Sequence, residues 1–76
     1  MRLEGAIMSE LVFLVEEAPE GGYTARALGE SIFTEADDWN TLKRNIIDAV
    51  TCHFADRSGA PRVIRLHLVK DEVLAL

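Results

Sequence analysis

Four groups of residues in this chain are of types that carry chemistry. Arg65 and His67 stand two apart in "RVIRLHLV", a spacing that puts both on one side of an extended strand. There the guanidinium could hold a carboxylate or phosphate while the imidazole moves a proton. Cys52 and His53 are a candidate thiolate–imidazole pair, but neighbours on a helix point about 100° apart. Ligands or a nucleophile and its base need a spacing of three or four to converge on one helix, so neither a metal site nor a reactive cysteine is expected. Asp37, Asp38 and Asp48 would have to gather with others at strand ends to hold two metals, and the first strand supplies no carboxylate in its interior. "EGG" at 20–22 lacks the lysine and the following helix of a phosphate loop.

The elements that must position these residues are legible in the pattern. "ELVFLVEE" is a run of strand formers, "APEGG" a reversing turn and "YTARAL" a second strand. Gly29-Glu30 suits a two-residue hairpin turn into a third strand, "SIFTEA". "DDWNTLKRNIIDAVTCHFAD" reads as a helix capped by Asp38, with Trp39, Leu42, Ile46, Ala49 and Val50 on one arc. An exposed Arg44–Asp48 pair is expected on its outer side. Gly59 and Pro61 stop it, and "RVIRLHLV" is a fourth strand. The expected fold is α+β, β-β-β-α-β, an antiparallel meander with one helix packed on one face of the sheet. Residues 1–9 read as a lead-in, with Met8 a candidate second start, and 10–76 as the single domain.

One helix covers one face of such a sheet. The first strand is nevertheless apolar on both: Leu11, Phe13 and Val15 alternate with Val12 and Leu14. Val63 and Val69 flank Arg65 and His67 on the second face of the fourth strand. That face needs a cover, part of it expected from the apolar tail "DEVLAL" and the rest from another copy of the chain, most simply in a two-fold dimer.

Composition narrows the function classes. The 76 residues make one domain, and 49% apolar content favours a packed core over disorder. A single cysteine allows no internal disulfide and, with no leader in "MRLEGAIM", points to the cytoplasm. No apolar run is long enough for a membrane span. Thirteen acidic against eight basic residues leave a net charge of −5. That disfavours direct nucleic-acid binding, which needs concentrated positive charge, and suits a basic protein partner.

"FLVEEAPEGGYTARAL" followed by a short third strand and "DDWNTLKRNIIDAV" resembles the N-terminal domain of HicB-type antitoxins. The likeness covers about residues 11–69. Its strongest parts are an acidic turn ending in Gly22-Tyr23 and the helix register, with Asp38 at the cap, Trp39 and Ile46 at apolar positions and "DAV" (48–50) at the end. Thr41 stands where the family has the glutamate of a capping box. The resemblance implies a truncated ribonuclease-H-like unit without catalytic carboxylates, binding a small basic toxin that cleaves RNA. Operator binding belongs to a second domain in that family and is not carried over to a chain ending soon after its fourth strand.

Two functions are therefore expected as alternatives. In the first, the chain is a non-enzymatic, self-associating HicB-like binding domain with no catalytic residue, metal or cofactor. Glu16, Glu17 and Glu20, or the exposed helix face, meet a small basic toxin-like partner. In the second, Arg65 and His67 line a pocket at a dimer interface and serve a small ligand or a reaction.

Overall fold

The strand apolar on both faces lies inside the sheet. In the computed structural model, which describes residues 9–56 and 58–76, β1 (Glu10–Glu17) pairs on one side with β2 (Tyr23–Ala27) and on the other with β4 (Val63–Val69). β3 (Phe33–Ala36) adds to β2, giving the order β3-β2-β1-β4, and α1 (Trp39–His53) connects β3 to β4. The lead-in expected at 1–9, Met8 included, lies outside the described residues except for Ser9. The Ser9 carbonyl accepts from the N–H groups of Arg62 and Val63.

The class is the expected α+β, and β1, β2 and β3 form the expected antiparallel meander. The fourth strand departs from it: β4 runs parallel to β1, so the sheet is mixed. The cause is geometric. The helix carries the chain back from the end of β3 to the pole where β1 begins, and a strand leaving that pole must run alongside β1 in its own direction. A second correction concerns the β2–β3 connection, which is wider than a two-residue turn. Ala27 N–H donates to the Ile32 carbonyl at 3.0 Å, leaving 28–31 to make the loop. The wider loop lets Ile32 enter the core and brings Glu30 Oε1 within 3.0 Å of His53 Nε2 at the end of the helix.

The register assigns the two faces. Phe13 pairs with Ala27 and Leu66, and Val15 with Ala25 and Leu68, so these residues share the helix side. The core is Leu11, Phe13, Val15, Ala25, Ala27 and Ile32 from the sheet, with Leu42, Ile46 and Val50 from the predicted arc of α1 and Phe54 just beyond it. Small alanines on β2 let the helix approach closely. Tyr23 and Trp39 meet edge to face with centroids 5.4 Å apart, closing the core at the helix N-terminus.

Asp38 is the helix cap. Its carboxylate accepts from the Thr41 N–H at 2.8 Å and from the Thr41 hydroxyl at 3.0 Å, so the residue in the capping-box glutamate's place serves the cap itself. Arg44 reaches back to Thr41 Oγ1 at 3.4 Å rather than forward to Asp48. Asn45 donates to the Glu35 carbonyl at 3.2 Å, tying the helix to the edge strand β3. α1 does not reach across the whole sheet: Leu68, on its side, remains 43% exposed, and so does Ile47 at 56%. The tail does not dock as expected. Val73, Leu74 and Leu76 stand almost wholly in solvent.

Candidate functional site

β1, β3 and β4 run the same way, so their carboxyl ends share one pole with the start of β2 and the N-terminus of α1. Acidic residues collect there. Glu16 and Glu17 end β1, Glu20 lies in the following turn, and Asp37 and Asp38 precede the helix. An open cleft of ≈ 550 Å³ runs between the β1–β2 turn and the end of β3, lined by Glu20, Tyr23, Glu35, Asp37 and Thr41 among others. A smaller one beside it is bounded by Glu16, Glu17, Lys70 and Asp71. The turn is fixed by backbone bonds, Ala18 N–H to the Gly22 carbonyl at 2.9 Å and Gly21 N–H to the Ala18 carbonyl at 3.0 Å.

The charges at this pole are not equivalent. The Thr41 N–H, then its hydroxyl, hold the Asp38 carboxyl below its ordinary value, so its charge is committed to the helix end. Lys70 Nζ stands 4.0 Å from Glu17 Oε2, an exposed pair that neutralises little. Glu16, Glu20 and Asp37 are exposed and can accept from an incoming donor. Carboxylates around a cleft with a tyrosine in its wall suit an ammonium or guanidinium group, through charge-assisted hydrogen bonds and the ring face.

The structure therefore brings Glu16, Glu17 and Glu20 together at one pole, as the turn sequence implied. It adds Glu35 and Asp37, which a reading by sequence neighbourhood did not join to them. The signal was available, since both fall at the carboxyl end of the third strand, and a three-stranded antiparallel meander ends its first and third strands at the same pole.

Arg65 and His67 lie on the opposite, outer face of the sheet, opposite Val12 and Leu14 of β1. The Arg65 guanidinium donates to the Glu10 carboxylate, so it is already bound by an acid of its own chain. Arg26 and Phe33 continue the outer face across β2 and β3. His53 Nε2 meets Glu30, and its ring packs edge to face on Phe54 at 4.9 Å, while Cys52 is exposed. Among the described residues, no three His, Cys, Asp or Glu side chains are placed to hold a metal ion, and no helix is long and apolar enough to cross a membrane.

These features define a small α+β domain in which a single helix packs on a four-stranded mixed sheet with an acidic cleft at one pole. The chain belongs to the UPF0150 family. It is 42% identical to a UPF0150 protein of Thermotoga maritima over 67 residues, covering 88% of this chain and 93% of that one. It is 52% identical to a UPF0150 protein of Archaeoglobus fulgidus over 52 residues, 68% of this chain and 77% of the relative. No family model matches the chain, and no solved structure gives a significant match.

Proposed function

We propose that this chain is a non-enzymatic, HicB-like protein-binding domain whose acidic pole receives the cationic side chains of a small basic protein, as an antitoxin masks its toxin. The observation that carries the reading is the gathering of acidic residues at one end of the sheet, Glu20, Glu35 and Asp37 around an open cleft and Glu16 and Glu17 at a second, smaller one. The strand, turn and helix register that resembles the HicB domain builds this pole, with Gly22-Tyr23 at its rim. Self-association is part of the same reading, and the outer sheet face is one surface open to it: Val12 and Leu14 are half-buried there, and Phe33 and Val63 are exposed at 63% and 55%.

The test is affinity capture from a lysate of the source cells with wild type, a Glu16→Lys/Glu17→Lys/Glu20→Lys variant and His67→Ala. The expected result is a small basic protein in stoichiometric amount, retained by His67→Ala and lost by the charge-reversed variant while its circular dichroism is unchanged. Capture that survives charge reversal, or capture of no basic protein, overturns the proposal.

A further inference from the structure

The two edges of the sheet are treated differently. On β3 the helix covers the edge, with Asn45 donating to the Glu35 carbonyl. On β4 nothing among the described residues does so. Val63 N–H donates to the Ser9 carbonyl at 3.1 Å, toward β1. Backbone groups alternate along a strand, so those of Val63, Arg65, His67 and Val69 face β1, and those of Ile64, Leu66 and Leu68 face outward. Three N–H groups and three carbonyls thus line an open edge. It has no proline and no bulge within its seven residues, two of the devices that ordinarily block an edge, and the charge of its one arginine, Arg65, is held by Glu10. Beside it runs an apolar groove of ≈ 130 Å³ between β4 and the helix, lined by Lys43, Ile46, Ile47, Ile64 and Leu66.

We infer that a second copy of this chain docks on this edge, β4 against β4 in antiparallel order about a two-fold axis through Leu66. The strand itself selects that occupant. Reversed on itself about Leu66, "VIRLHLV" pairs Val63 with Val69, Ile64 with Leu68 and Arg65 with His67. The outward-facing residues Ile64, Leu66 and Leu68 then exchange their own N–H and carbonyl groups with those of the copy, so every bond the edge lacks is supplied. On the helix side the row Ile64, Leu66, Leu68 continues without a break into the same row of the copy, and the two grooves flank the axis. On the outer face each imidazole stands where it can accept from the other copy's Arg65. Pairing about Arg65 or Val63 would instead oppose two guanidinium groups or leave much of the strand unpaired.

The tail supports the same occupant. A stable association buries about 800 Å² per partner. Antiparallel order carries each tail past the beginning of the other copy's β4, so Val73, Leu74 and Leu76 run along a protein surface instead of solvent. Edge pairing is distinct from contact through the outer face. It joins two four-stranded sheets into one and leaves both acidic poles open at opposite ends.

The experiment is native mass spectrometry and sedimentation at micromolar protein, paired with residue-resolved amide exchange by NMR. Variants Leu68→Lys, on the exposed edge row, and Phe33→Glu, on the outer face, are compared. Wild type should have the mass of two chains, Leu68→Lys that of one, and Phe33→Glu that of two. The amides of Leu66 and Leu68, which face outward in a single chain, should be protected in wild type and lose protection on dilution. If Leu68→Lys fails to fold, exchange in wild type decides alone. A wild-type monomer overturns the inference, and so does a dimer in which Leu66 and Leu68 amides exchange as fast as those of a loop. A dimer broken by Phe33→Glu and untouched by Leu68→Lys assigns the contact to the outer face instead. These readouts do not depend on a basic partner, so they can fail while the acidic-pole reading stands, and the reverse.

Discussion

Replacing Gly22 by alanine tests how the acidic pole is built. Gly22 has φ +86°, a left-handed conformation that costs an L residue about 1–2 kcal/mol. A Cβ there would also lie 2.7 Å from the Ala36 carbonyl oxygen and 3.2 Å from Asp37 Cα. Both are backbone atoms where β3 leaves the sheet, and neither can rotate away. Forcing them apart adds a penalty comparable to overpacking a core, about 1–3 kcal/mol. Gly21 is the internal control: its φ is +108°, but a Cβ would meet nothing within 4 Å. Gly21→Ala therefore carries the backbone cost alone. For a domain of this length each kcal/mol moves the midpoint by about 6 °C. Gly21→Ala should lower Tm by about 6–12 °C. Gly22→Ala should fall at least about 6 °C further, close to the whole stability of about 3–5 kcal/mol that such a core supplies. The assay is far-ultraviolet circular dichroism during heating, with urea midpoints as a second measure. Equal losses in the two variants would refute the argument, because they would mean that the approach of Gly22 to Ala36 sets nothing.

Two more outcomes follow from the helix. Asp38→Ala should lower the urea midpoint through loss of the cap, and Asp38→Asn should keep most of that contribution. The folded-state value of Asp38 is depressed, so its charge stabilises the fold above the ordinary carboxylate range, and the contribution is lost as pH falls through the lowered value. The acid limb of stability against pH should accordingly be shallower in Asp38→Asn than in wild type; identical limbs would contradict the cap. Leu42, fully buried between helix and sheet, should cost about 3 kcal/mol when truncated to alanine, read as a fall in urea midpoint at unchanged m-value. A loss below about 1 kcal/mol would show that the helix is not seated as described.

Where local pattern decides structure, the sequence was sufficient. Trp39, Leu42, Ile46, Ala49 and Val50 recur at the helical period, and Asp38 precedes them with a side chain able to accept from the first turn. The helix, its cap and its buried face could be read from that alone. The alternation in "RVIRLHLV" likewise gave both faces of β4. The direction of β4 could not be read so easily, since strand pattern is the same in either sense and only the helix crossover reverses it. The β2–β3 loop escaped for a related reason: Gly29-Glu30 satisfies a tight turn locally, but burial of Ile32 and the reach of Glu30 to His53 are tertiary. At the acidic pole, Glu16, Glu17 and Glu20 were legible as neighbours in one turn. Glu35 and Asp37 join them only because β3 ends where β1 does.

The parallel pairing of β1 with β4 also sets an order of assembly. Glu17 and Tyr23 close the first hairpin across six positions, whereas Glu16 meets Val69 across fifty-three. In an otherwise unstructured chain that difference costs about 2 kcal/mol more in closure entropy. Once the meander and helix exist, the gap shrinks to the connection over 54–62, and most of that penalty disappears. The last strand therefore has its landing site prepared by everything before it, and until it arrives the central strand keeps one side unzipped. During synthesis β4 emerges only after the helix, so a nascent chain carries its central strand, β1, with a vacant flank until β4 is made.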